Sequence, residues 1–156
     1  MIDKDLYKKT DGVLFNYQVI KMEIKNLELE IEEISSTYNG VGAISYEEKS
    51  GHTNKFNSSV ENEIINKEKI INKLNREMNS KKRLIAKIDN AMEILNENER
   101  KIVEYRCVKG YSWSRIGALL NMDGDYCGRI KREVMNKISS LIWIRESMCK
   151  KVGESK

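Results

Sequence analysis

The stretch "GYSWSRIGALLNMDGDYCGRIKREV" (residues 110–134) holds two helix-sized pieces on either side of the polar break "NMDGD", and the second piece carries Arg129, Lys131 and Arg132 within four positions. Ser112 is a natural N-cap for "WSRIGALLN", because a serine hydroxyl accepts a backbone N–H left over at a helix start. Ile116 is apolar, Gly117 is small where two helices would cross closely, and Leu120 and Met122 bracket a turn centred on Asn121, a residue that tolerates the left-handed conformation. Asp123 or Asp125 then caps the next helix. Cys127, Ile130 and Val134 fall on the inner face of that helix, which leaves Gly124, Asp125, Gly128, Arg129 and Arg132 on the outer one. Apolar, small, apolar, turn and apolar positions inside about twenty residues are what a helix-turn-helix needs. The expected all-α fold is built outward from this unit.

Upstream, Glu97 and Glu99 suit the positive end of a helix that continues through Ile102, Val103 and Val108 and closes at Lys109-Gly110. Trp113, spaced with Ile116 and Leu120, reads as core. Downstream, the helix is expected over residues 124–144, with Trp143 in the apolar end "SSLIWI" packing back on its neighbours, followed by a basic tail over 145–156. A three-helix domain is therefore expected over residues 96–144.

The N-terminal part has a different rhythm. Leu6, Thr10, Val13, Tyr17, Ile20, Ile24, Leu27, Ile31 and Ile34 step by threes and fours, and so do Val60, Ile64, Lys67, Ile71, Leu74, Met78, Lys81, Ile85, Ile88, Met92 and Leu95. These are heptad seams. Gly12 is a weak point, since an interior glycine costs about 1 kcal/mol relative to alanine, so the firm helix is expected from there. Residues 38–57, with three glycines and no sustained period, read as a flexible loop that includes a strand-like piece at "GAISY", and Ser58 or Ser59 as the cap that restarts the helix. Two long helices with one apolar stripe each cannot stay single in water. The expectation for residues 1–95 is a long antiparallel coiled-coil hairpin and a homo-oligomer formed through it.

The composition narrows the chemistry. Cys107, Cys127 and Cys149 are odd in number and lack metal-ligand spacing, and His52 is the one histidine, so neither a metal site nor Ser-His or Cys-His catalysis is expected. We expect no enzyme and no cofactor. No apolar run approaches the roughly 20 residues that cross a bilayer, and "MIDKDLYKKTDG" lacks the apolar core of a signal peptide, so a cytoplasmic protein without membrane contact is expected. Net charge is +4, yet residues 97–156 hold 13 Lys and Arg against 8 Asp and Glu, while residues 1–96 hold 15 against 16. A basic end on a neutral support suits binding to double-stranded DNA. On that reading Asp125, Gly128, Arg129 and Arg132 face bases, the arginines reaching guanine O6/N7 and Gly128 admitting a close approach, while Arg115, Tyr126 and Lys131 touch the phosphate backbone.

The run "NERKIVEYRCVKGYSWSRIGALLNMDGDYCGRIKREVMNKIS" resembles the promoter-reading helix-turn-helix domain of sigma factors. Together with the heptad hairpin and the loop ending in "NSSVENEI", the pattern over roughly residues 10–140 is similar to the ArpU/RinA-type late-transcription regulators of phages and prophages. The resemblance implies a sequence-specific activator at late promoters, and RNA polymerase is a candidate partner. Two other functions are compatible with the same residues: a small terminase-like DNA-packaging subunit, and a protein-binding adaptor whose basic helix meets an acidic partner such as RNA polymerase.

Overall fold

The structure, a computed structural model, describes residues 3–41 and 56–153, with no side-chain description for 38–41 and 56–58. Every regular element among the described residues is a helix, as the sequence predicts. They are α1 (Lys4–Phe15), α2 (Tyr17–Val41), α3 (Phe56–Glu93), α4 (Glu97–Val103), a π-helical turn (Glu104–Val108), α5 (Trp113–Leu120), α6 (Gly124–Ile142) and α7 (Ile144–Gly153). The chain divides into two compact units, one made of Met1–Lys21 with Arg83–Lys156 and the other of Met22–Lys82. The sequence reading divides it at residue 95 instead. The difference has a physical source: α1 and the last turns of α3 belong to the core that surrounds α6.

The first unit starts at Asp3, whose Oδ1 accepts from the backbone N–H groups of Asp5 (3.0 Å) and Leu6 (3.3 Å). This cap, with burial of Leu6, Thr10 and Leu14, outweighs the cost of Gly12, so the helix forms well before that residue. The break falls at Asn16, where the backbone N–H and Nδ2 both donate to the Gly12 carbonyl, at 3.1 Å and 2.9 Å. Leu14, Ile88, Ala91, Leu95, Val103, Cys107, Val134, Met135, Ile138 and Ile142 form one buried cluster, against which Tyr7, Val13 and Trp143 pack. Thr10 is fully buried at its seam position. Its Oγ1 donates to the Leu6 carbonyl (2.7 Å), accepts from Trp143 Nε1 (3.1 Å) and lies 2.9 Å from Ser139 Oγ, which in turn donates to the Met135 carbonyl. A polar residue is tolerated there because each of its hydrogen-bonding groups is satisfied. α6 stops at Ile142 rather than 144, and the expected tail is helical through Gly153; Lys9–Glu146 (2.7 Å) and Lys150–Asp3 (2.5 Å) tie that helix to α1.

The second unit is thinner. Ile24, Leu27, Ile31 and Ile34 of α2 and Ile64, Lys67, Ile71, Leu74, Met78 and Lys81 of α3 are half-buried, and Val60 alone among the seam positions is exposed. Lys81 Nζ reaches Glu23 on the neighbouring helix at 2.9 Å and Glu77 on its own at 3.4 Å; Lys82 reaches Glu28 at 2.6 Å. A lysine at a seam position survives because its stem covers apolar surface while its head meets carboxylates. α2 extends to Val41 and α3 begins at Phe56, so the ends of the expected loop 38–57 are helical and neither Ser58 nor Ser59 is the residue before the helix. The strand-like piece at "GAISY" falls outside the described residues. No helix among the described residues is long and apolar enough to cross a membrane.

Candidate nucleic-acid interface

Capping fixes where each helix of this region begins. Asn96 and Glu99 form a reciprocal capping box, with Asn96 Oδ1 accepting the Glu99 N–H at 2.9 Å and Glu99 Oε2 accepting the Asn96 N–H at 3.0 Å. Ser112 Oγ accepts from Arg115 N–H (3.2 Å). Of the two aspartates eligible to cap α6, Asp123 does so, accepting from Asp125 (2.7 Å) and Tyr126 (3.2 Å). Asn121 closes α5 with φ 53° and ψ 47°, the left-handed conformation that an asparagine adopts more readily than other non-glycine residues.

The crossing of α5 and α6 is close enough to require glycine at one position and to be tight at a second. A Cβ on Gly117 would sit 2.6 Å from the Met122 carbonyl oxygen, and one on Gly124 would sit 3.3 Å from the Trp113 carbonyl oxygen. Gly124, placed by the sequence on the outer face, is therefore packed against α5. Ile102, Ile116 and Cys127 seal a small core beneath the crossing, with Tyr111, Trp113, Leu120 and Ile130 around it. Burial, and then the nearby Asp123 carboxylate, raise the Cys127 thiol above its ordinary value. Burial likewise pushes Cys107 up to about 12. All three cysteines are free, Cys149 on the surface.

α6 turns Cys127, Val134, Met135 and Ile138 inward and leaves Asp125, Arg129 and Arg132 exposed, one turn apart along a single face. Tyr126 is half-exposed with the Arg129 guanidinium 5.8 Å from its ring. Among the described residues, neither Arg129 nor Arg132 is in an ion pair. Gly128 lies beside Trp113, whose Cε2 would be 4.0 Å from an added Cβ. Arg115 is exposed, its guanidinium 3.8 Å above the Tyr111 ring.

Lys131 departs from the expectation that it touches phosphate. Its side chain is 13% exposed and its Nζ is bonded to Asp11 on α1 at 2.8 Å. Burial works against the ammonium, but the hydrogen bond to Asp11 and the surrounding negative charge leave its pKa raised. A lysine held this way serves the junction of α1 with α6.

Sequence reasoning missed a basic and aromatic stack in "YRCVKGYSWSR" (105–115). Tyr105 and Tyr111 stack at 5.6 Å, Arg106 lies 4.7 Å from the Trp113 ring and donates from Nη1 to the Tyr111 carbonyl (2.8 Å), and Lys109 bonds Glu104 at 2.9 Å. The interleaving of aromatics with cations was the available signal. The π turn that brings these residues into register leaves no equally plain mark in composition. No group of three or more His, Cys, Asp or Glu side chains among the described residues is arranged to hold a metal ion.

No curated protein and no solved structure matches the chain. A family model does, over residues 6–140, which takes in most of α1 and nearly all of α6 together with everything between them. The chain belongs to the family described as protein of unknown function (DUF722).

Proposed function

We propose that the protein is a sequence-specific regulator of transcription that places α6 in the major groove of double-stranded DNA. The observation that carries the reading is the α5–α6 pair: a left-handed asparagine turn, a glycine-sized crossing and an outer face on which Arg129 and Arg132 stand exposed and uncommitted to any carboxylate. A helix with its side chains is about 10–12 Å across and the major groove about 12 Å wide. Arg129 and Arg132 would read guanine edges, with Asp125 accepting from a cytosine amino group and Gly128 allowing close approach. Arg115 and Tyr126 would meet phosphates, held by the Tyr111 ring and the Arg129 guanidinium respectively. The net positive charge of residues 97–156 supports the same face. Similarity to the ArpU/RinA-type regulators extends the proposal to activation at late promoters with RNA polymerase as partner.

We read α2 and α3 as arms of an antiparallel coiled-coil hairpin that also joins copies of the chain. The half-buried seams and the Lys81–Glu23 and Lys82–Glu28 pairs support this.

The test is retention of genomic DNA fragments on the purified protein at two salt concentrations, followed by sequencing. Enrichment of one short motif that survives the higher salt is expected, and Arg129→Ala should weaken binding to that motif by about 1–3 kcal/mol. Uniform retention that collapses with salt would reduce the contact to phosphates alone and sink the reading.

A further inference from the structure

We propose that an open cleft between α1 and the π turn docks an acidic peptide segment of a partner protein, one that carries a large apolar side chain among its carboxylates. The cleft has a volume of about 560 Å³. One wall is a single face of α1, formed by Lys8, Asp11, Gly12 and Phe15; Arg106 and Lys131 stand opposite. Gly12 opens the wall, because nothing lies within 4 Å of where its Cβ would be.

Three cations line the cleft against one acid. Asp11 is engaged by Lys131 Nζ at 2.8 Å and the Cys107 thiol at 3.6 Å, both on Oδ1, which leaves Oδ2 to accept a backbone N–H. Arg106 spends one donor on the Tyr111 carbonyl and lies 4.7 Å from the centre of the Trp113 ring, so its planar fork is held in place with donors to spare for a carboxylate. Phe15 is 69% exposed at the end of the same wall. Covering it requires an apolar group from the partner.

These features together select a peptide over a nucleic acid. A phosphate backbone would gain from Lys8 and Arg106 but would be repelled by Asp11 and would leave Phe15 bare. A peptide supplies all three complements: carboxylates for the cations, an amide N–H for Asp11 and an apolar side chain for Phe15. This site is separate from the outer face of α6 and does not rest on the DNA reading.

The experiment selects a displayed library of random dodecapeptides on the full-length protein and measures binding of a fluorescein-labelled winner to Lys8→Glu, Phe15→Ser and Gly12→Tyr. All three positions are open enough for the variants to fold, and thermal melting by circular dichroism verifies that they do. We expect winners rich in Asp and Glu with a large apolar residue, affinity that falls as salt rises, and a loss of at least about tenfold in each variant. The proposal is overturned if no clone is enriched, or if winners bind the variants as well as the parent. It is equally overturned if DNA fragments displace the peptide while Phe15→Ser changes nothing, since the cleft would then be a phosphate contact.

Discussion

Between Met22 and Lys82 no described side chain is fully sealed from water, whereas in the unit formed by Met1–Lys21 and Arg83–Lys156 the side chains of Ile102, Ile116, Val134, Met135, Ile138 and Ile142 have no exposure at all. Both regions draw on the same heptad pattern: Ile71, Leu74 and Met78 belong to one unbroken series with Ile85, Ile88 and Leu95. What differs is the number of neighbours. Two helices side by side cover one stripe each, while Ile88 and Leu95 join a cluster contributed by α1, α4, the π turn and α6 as well. Periodicity determines which residues face inward; the count of packed elements determines how far inward they go.

The strongest way to break this contrast is a matched pair of truncations. Met135→Ala removes a fully buried side chain and should cost about 2–5 kcal/mol in chemical denaturation. Leu74→Ala removes a half-buried one and should cost about 1 kcal/mol. Equal losses would mean that the thinner unit is covered in solution by another copy of the chain, and the Leu74→Ala effect would then depend on protein concentration.

The contrast also separates what the sequence showed from what it hid. Every seam residue but Val60 faces inward, and the caps at Ser112 and Asp123 and the left-handed Asn121 follow from chemistry local to a few positions. The features that escaped reading are long-range. The Asp11–Lys131 bond joins residues 120 apart, and nothing in the spacing around Lys131 distinguishes a lysine that turns toward α1 from one that faces solvent. Helical angle alone places Gly124 outward, yet the closeness of the α5 backbone, a tertiary fact, decides its side. The candidate site is therefore legible as far as its exposed arginines and its turn, and not in the contacts that come from α1.

Within the compact unit the close crossing of α5 and α6 should be the next most costly place to add an atom. Gly117→Ala brings a methyl within 2.6 Å of the Met122 carbonyl oxygen, and backbone must move to admit it. A loss of about 1–3 kcal/mol is expected, with DNA retention falling as the outer face of α6 tilts. A variant as stable as the parent would show that the crossing is looser than its geometry. Asn121→Ala tests the adjacent turn: an alanine at φ 53° should lose about 1–2 kcal/mol, while Asn121→Gly should be nearly neutral. If both variants melt with the parent, the left-handed turn is not what sets the angle between the helices.

The smallest effects are electrostatic, and one group from each region shows the two directions in which pH moves stability. Glu99 in the compact unit is held below its ordinary 4.5, first by the hydrogen bond from Lys137 and further by the Asn96 N–H, against a burial contribution that raises it. A carboxyl lowered on folding contributes fully above its unfolded value, and that contribution is lost as pH falls through the lowered folded value. Lys81 in the thinner unit is raised above its ordinary 10.5, first by its hydrogen bond to Glu23 and also by Glu77, against burial that lowers it. Its contribution is complete below 10.5 and is lost as pH rises through the raised folded value. Glu99→Gln keeps the capping box and loses the Lys137 pair, so it should cost about 0.2–1 kcal/mol at neutral pH and flatten the acid limb alone. Lys81→Gln should cost a similar amount and flatten the alkaline limb alone. Hydrogen exchange resolved by segment would read Glu99→Gln in the compact unit and Lys81→Gln in the thinner one; an acid limb unchanged by Glu99→Gln, or an alkaline limb unchanged by Lys81→Gln, would show that the pair concerned does not stabilise its unit.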